Sequence, residues 1–240
     1  MTDQELEQLR QLFEVMERLR APGGCPWDRA QSHKSLLPYL LEETYEAIHA
    51  IEEGGPEEVA EELGDLLVEV AMHVAIARES GGFGIGEVAA RARGKMVSRH
   101  PHVFGGASVE GVDQVLRNWE ELKRREKPHR ESNFDGIPEA LPALALAGAV
   151  LRRRPQELGD EEEPGADAIE EQLRRLRGGE LDQAAAELAL GELLLAVVAL
   201  ARTLGVDAEA ALRRSARARR AHWRQAEVSL RGRAGDAGSG

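Results

Sequence analysis

An all-α fold follows from three features of this 240-residue sequence: aromatic residues make up only 4%, β-branched runs are scarce, and Ala, Leu, Glu and Arg fill long stretches in which apolar residues recur three or four apart. The first such stretch predicts a helix over 3–20, ended by Ala21-Pro22-Gly23-Gly24. A Gly/Pro turn carrying Trp27 follows, and the apolar period resumes over 33–53. Gly54-Gly55-Pro56 supplies the next turn, with Pro56 suited to a first helical turn, and a helix is predicted over 57–79. Gly81-Gly82 separates it from helices over 86–99 and 109–127. The polar, proline-bearing segment from Lys127-Pro128 to Pro138 lacks helical periodicity and marks a domain boundary. Beyond it, helices are predicted over 139–154, 166–177, 181–204 and 207–230, with a Gly/Glu/Pro-rich loop at 157–165. The expected organisation is therefore a first domain over 1–130, a linker over 131–137, a second helical domain over 138–232 and a flexible tail over 233–240.

Composition narrows the function. With 42% hydrophobic and 31% charged residues the chain reads as globular. Lys plus Arg number 31 and Asp plus Glu 43, a formal charge of −12, the wrong sign for a general nucleic-acid binder. The longest apolar runs, such as Leu193 to Ala201, fall short of the roughly 20 residues of a spanning helix, so no membrane association is expected. One cysteine, Cys25, allows no internal disulfide, and the polar start MTDQELEQLR has no secretory pattern; both favour the cytoplasm. Cys25 has no evident base partner and is not assigned as a nucleophile.

The most informative segment runs from Glu42 to Glu69, where eleven acidic side chains occur without a single Lys or Arg. Like charges at neighbouring helical positions repel by a few tenths of a kcal/mol per pair, roughly, and a bound cation reverses that sign. Glu42, Glu43 and Glu46 share one helical face, and Glu62 and Asp65 share a face of the next helix. A tight turn at 54–56 lets the helices run antiparallel and oppose the two sets. An all-oxygen donor set selects Mg²⁺ or Mn²⁺ over zinc. A solvated acidic face is the alternative, but Glu62 and Asp65 border the apolar stripe expected to be buried, Leu63, Leu66, Leu67, Val70 and Val74. Glu46-x-x-His49 also matches one step of a di-iron carboxylate bundle, which needs that step twice, and Glu62-x-x-Asp65 lacks the histidine.

Phosphate chemistry beside such a centre needs cations as well. Lys95 and Arg99 fall on one face of a helix, followed by His100-Pro101-His102; Trp119 and Lys123 repeat the four-residue spacing on the next. The pair His100 and His102 lacks the further ligands of a zinc site. Two rival readings remain: a non-catalytic acidic scaffold that binds a basic partner, with an Arg-rich end from Arg213 to Arg224, and an iron oxidase.

Taken together, Cys25-Pro26-Trp27-Asp28, Leu40 to Glu46, Glu62 to Leu67 and Arg99 to Phe104 resemble the MazG family of all-α nucleoside triphosphate pyrophosphohydrolases in order and spacing, well over residues 5–127 and weakly to about 230. The resemblance implies a dimerising helical bundle and a house-cleaning, Mg²⁺-dependent hydrolysis of NTPs or dNTPs to monophosphate and pyrophosphate. It puts the metal ligands on Glu43, Glu46, Glu62 and Asp65, with Glu42 assisting the ions or orienting the attacking water. Phosphate contacts, with a catalytic part, fall on Lys95 and Arg99, and nucleotide contacts on Trp119 and Lys123; Trp27 is a further substrate-binding candidate from its setting in the first turn. The same pattern implies a second repeat, and here it degenerates: Glu170 and Glu171 are followed by Arg174, Ala189 and Glu192 stand at the second acidic step, and Ala218 and His222 replace the basic pair. One or two carboxylates beside an arginine hold a divalent ion poorly, so a structural role is expected for that half.

Overall fold

The computed structural model describes residues 1–126, 131–155, 164–179 and 181–237. Eleven helices and no strand occur among them, and the chain forms two compact units, Met1–Arg125 and Glu126–Gly240.

In the first unit, α1 (Asp3–Arg20) starts from Thr2, whose hydroxyl accepts from the Glu5 N–H while the Glu5 carboxylate accepts from the Thr2 N–H. A short α2 (Pro26–Ala30) lies inside the stretch expected to be irregular; Pro26 at its start needs no donor and carries the preset φ of a first turn. The expected helix over 33–53 begins later, as α3 (Leu37–Glu53), because Ser32 and Ser35 close a turn on each other's N–H groups. Gly54 and Gly55 connect it to α4 (Pro56–Glu79), where the Glu58 carboxylate accepts from the Gly55 N–H. Then come α5 (Ile85–Arg99), a four-residue α6 (Pro101–Phe104) and α7 (Val112–Arg125). Helix α4 is central, packing on both α1 and α3. Phe13 and Met16 of α1, Leu36, and Ala71, Met72, Val74 and Ala75 of α4 form the core.

That core corrects the expected stripe on α4. Val74 is buried, but Leu63, Leu67 and Val70 are exposed, and the buried positions are Glu69, Ala71, Met72, Ala75 and Ala77 with it. The second half of α4 is apolar around most of its circumference, so periodicity alone does not say which flank α1 covers.

Two polar contacts tie the first loop and the turn before α3 to α4. The Arg20 side chain, only 4% exposed, donates from Nε and Nη2 to the two Glu79 carboxylate oxygens at 2.7 and 2.8 Å. Its Nη1 donates to the carbonyls of Asp28 and of Gln31, the latter at 3.2 Å. The guanidinium holds the Glu79 carboxyl below its ordinary range. Farther along α4, His33 and His73 face each other through Nδ1 at 2.8 Å. Their ring centroids are 5.0 Å apart with planes 5° apart, about the N···N separation plus two ring radii, so the rings lie edge to edge in one plane and share a proton. Burial, and the neighbouring His33 charge, hold His73 below the usual imidazole value.

In the second unit α8 (Ala143–Arg152), α9 (Ala166–Arg177), α10 (Gln183–Thr203) and α11 (Ala208–Ala237) gather around α10, which packs on the other three. Leu151, Val198 and Ala199 form its core, flanked by Leu144, Ala147, Leu195 and Ala208. Pro142 delays α8 relative to the expected start at 139. The segment 131–137, expected as linker, is a turn: the Asp135 carboxylate accepts from the Glu131 and Ser132 N–H groups, and Arg153 donates to the Asp135 carbonyl. Residues 127–130, 156–163, 180 and 238–240 lie outside the described residues, and with them most of the expected loop at 157–165 and the end of the expected tail. Helix α11 continues through Ala237, past the expected tail boundary at 233. Helix α10 extends the Leu193–Ala201 run in both directions to 21 residues, which corrects the sequence expectation: by length and composition it is apolar enough to cross a membrane, and here it is packed among helices.

Two outcomes test these contacts. Arg20→Ala removes the donors to two loop carbonyls and to Glu79 and should cost about 3 kcal/mol, read from the urea midpoint of unfolding. For His73, a folded value below the unfolded 6.5 means that the unfolded chain takes up the proton first, so stability falls as pH drops through 6.5. The wild type should lose stability relative to His73→Leu between about pH 7.5 and 5.5; parallel curves would refute this account of the pair.

Candidate metal and phosphate site

Helices α3 and α4 leave a two-residue connection and pack along each other, so residues at similar distances from the turn are placed opposite. Glu43 on α3 thereby meets Glu62 and Asp65 on α4, each offering a carboxylate oxygen within 4.8 Å of the others. No other group of three potential metal ligands this close occurs among the described residues. Glu43 and Glu62 are half-buried. One Glu62 oxygen, Oε2, is shielded from solvent and has no hydrogen-bond partner.

Both glutamates are pushed above the ordinary carboxylate range. Burial is the largest cause for Glu43, followed by the charges of Asp65, Glu46, Glu62 and Glu42. For Glu62 burial again leads, followed by Glu46, Asp65, Glu61 and Glu58. Glu46 therefore sits close enough to press on both, and Glu42, at the exposed edge, acts on Glu43. Convergent oxygens, a solvent-shielded orphan oxygen and mutual repulsion form an environment that a divalent cation satisfies: it supplies the missing charge and takes all-oxygen ligands.

The basic candidates form a separate constellation. Helix α5 packs on α6 and α7. The Arg99 guanidinium lies over the Trp119 ring at 5.5 Å from its centroid, and the His100 ring meets the same indole edge to face at 4.9 Å. Lys123 is half-buried and Lys95 exposed. The face of Trp119 that the sequence offers to a base is thus occupied, in part, by Arg99 and His100. Among the described residues α5 and α7 share no extensive packing with α3. Trp27 is exposed and pairs edge to face with Tyr39. His49, the residue of the Glu-x-x-His step, is exposed and belongs to no metal-competent group among the described residues.

Several polar residues of this region escaped the sequence reading. Glu69, one turn beyond Asp65, is buried with Oε2 unpartnered, and burial raises its carboxyl above the ordinary range. Arg20 and the His33–His73 pair were equally silent, because a buried ion or imidazole reads in sequence like a surface one. In the second unit, Arg174 is ion-paired to Glu171, Ala189 is fully buried, and Glu192 is exposed. Glu171 there has its counter-charge already.

The raised values fix a sign. Above the unfolded carboxylate value of 4.5 the folded cluster holds protons that the unfolded chain has released, so without metal the cluster's contribution to stability falls as pH rises through the raised value. In chelator, Glu62→Gln should melt above the wild type near pH 7, with the gap closing near pH 4; an unchanged or lower midpoint at neutral pH would show that the carboxylates are not compressed.

Residues 31–104 match the family model of the MazG nucleotide pyrophosphohydrolase domain. Over 210 residues, covering 86% of this chain and 80% of the relative, the sequence is 41% identical to the Thermotoga maritima protein named nucleoside triphosphate pyrophosphohydrolase/pyrophosphatase MazG. It is 37% identical over 238 residues to the nucleoside triphosphate pyrophosphohydrolase of Escherichia coli K12, covering 95% of this chain and 90% of that one. A Mycobacterium tuberculosis protein of the same name is 42% identical over 149 residues, 61% of this chain and 45% of the relative.

Proposed function

The chain belongs to the MazG nucleotide pyrophosphohydrolase family, and from that membership we propose that the Glu43–Glu62–Asp65 cluster is its active centre, hydrolysing NTPs and dNTPs to monophosphate and pyrophosphate with Mg²⁺. Its activity is that of a nucleoside triphosphate pyrophosphohydrolase, a hydrolase of phosphoric anhydrides. The observation that carries the location is the convergence of three carboxylate oxygens from two helices within 4.8 Å, one glutamate holding a buried, unpartnered oxygen.

Glu43, Glu46, Glu62 and Asp65 hold the ions, and Mn²⁺ is an acceptable substitute for Mg²⁺ on such ligands. When bound, Mg²⁺ supplies Lewis-acid stabilisation of the phosphoryl oxygens and a template for in-line displacement. Glu42, exposed beside Glu43, orients the attacking water and accepts its proton. The water oxygen bonds to the α-phosphorus, the α–β anhydride bond breaks, and pyrophosphate leaves with the bonding electrons. Lys95, Arg99 and Lys123 bind the phosphate chain and offset the charge of the leaving group; Trp27 and Trp119 contact the nucleoside.

A homodimer completes this reading. Leu63, Leu67 and Val70 on α4, with Leu37 and Leu41 on α3, are exposed apolar residues on the carboxylate-bearing helices, and among the described residues the chain's own basic helices share no extensive packing with α3. A second copy covers that face and brings its Lys95, Arg99 and Lys123 to the phosphates. The second unit is a degenerate repeat with a structural role, and the single cysteine and nucleotide substrate fit a cytoplasmic enzyme with no nucleic-acid or membrane partner.

The deciding measurement is a product analysis over an NTP and dNTP panel with millimolar Mg²⁺. We expect monophosphate and pyrophosphate, silenced by chelator, and a loss of at least ~10²-fold in turnover for Glu46→Gln. Glu192→Gln in the second unit should leave turnover unchanged. Diphosphate with orthophosphate, or full activity in a folded Glu46→Gln variant, would overturn the assignment.

A further inference from the structure

We propose that Tyr39 is a positioning residue for the nucleobase, acting by holding the Trp27 indole in one orientation; this rests on the reading of the carboxylate cluster as the triphosphate site. The backbone under Trp27 is built with unusual care. Gly23 takes a left-handed φ of 85°, and a Cβ on Gly24 would stand 2.2 Å from the Leu19 carbonyl oxygen. The Cys25 N–H donates to that same carbonyl at 2.8 Å. Buried Arg20 grips the Asp28 and Gln31 carbonyls, and the Gln31 side-chain amide donates to the Trp27 carbonyl at 3.1 Å. All this pinning presents an indole that remains 51% exposed and belongs to neither core cluster.

Backbone pinning leaves the side-chain torsions of Trp27 free, and Tyr39 is what the indole meets. The ring centroids are 5.7 Å apart with planes at 80°, an edge-to-face contact. In that geometry Tyr39 covers at most one face of the indole, so another stays open for a planar ligand. Tyr39 is itself 40% exposed, so the pair is not assembled to fill the interior. It stands four residues before Glu43 on α3, one turn or about 6 Å along the same face. Helix α3 thus puts the aromatic partner of Trp27 one turn from a carboxylate of the proposed phosphate site. Stacking on an indole tolerates any base but favours the larger rings, so this residue influences purine over pyrimidine choice without touching the reacting atoms.

The test is steady-state kinetics of the full chain with ATP, GTP, CTP and UTP. Tyr39→Leu should raise KM for the purine nucleotides roughly five- to tenfold, shrink the purine-to-pyrimidine ratio, and leave kcat within about twofold. Tyr39→Phe, which keeps the ring, should restore wild-type values. In a Trp27→Leu background, Tyr39→Leu should add little, the coupling expected of a residue that acts through its neighbour. Unchanged KM, a loss confined to kcat, additive effects in the double variant, or a changed sedimentation coefficient with KM preserved would overturn the inference while leaving the carboxylate site standing. Absence of pyrophosphate release in the wild type would remove that site, and this inference with it.

Discussion

Repulsion among carboxylates is the constraint around which the first unit is arranged. A two-residue connection between α3 and α4 forces Glu43 against Glu62 and Asp65, with Glu46 alongside, and no Lys or Arg lies in the sequence between Glu42 and Glu69 to relieve the pressure. Such an arrangement is unfavourable for folding, since burial and mutual repulsion raise the Glu43 and Glu62 carboxyls, and it is one that a divalent ion would relieve. The rest of the unit holds the hairpin against that strain. Helix α1 packs along α4, Arg78 pairs with Glu17 across the two helices, and Arg20 locks Glu79 at the far end.

The division of labour along α4 is equally plain. Its first turns carry the acidic chemistry and its last turns carry the core, with Ala71, Met72, Val74 and Ala75 against Phe13 and Met16. Glu69 stands at the border, buried and only partly satisfied. Charge and core packing are thus concentrated at opposite ends of one helix, so the end that bears the carboxylate cluster is braced by the end that packs on α1.

Sequence patterning located the helices well where glycine and proline punctuate them: α1 matches its expected span, and the start of α4 differs by one residue. The carboxylate cluster was also legible, since spacing on two helices and a short turn nearly determine which side chains oppose. Other features were invisible for definite reasons. Helix α2 is too short to show a period. The covered flank of α4 depends on where α1 lands, which no local pattern encodes. Arg20 owes its role to partners 8, 11 and 59 positions away. The Tyr39–Trp27 contact joins two residues separated by a loop whose path is set by that same arginine. The stacking of Arg99 and His100 on Trp119 was likewise not legible, because it depends on how α5 and α7 pack together.

Ala189 in the second unit has a consequence for ion binding there. Its side chain is sealed completely within the packing of α10. A substitution that put a glutamate at this position would bury a carboxylate with no counter-ion, at a cost of several kcal/mol. On α9, Arg174 is already paired with Glu171. A glutamate there would have to displace its neighbours before it could reach an ion, so tight packing and ion capture exclude each other at this point of the fold.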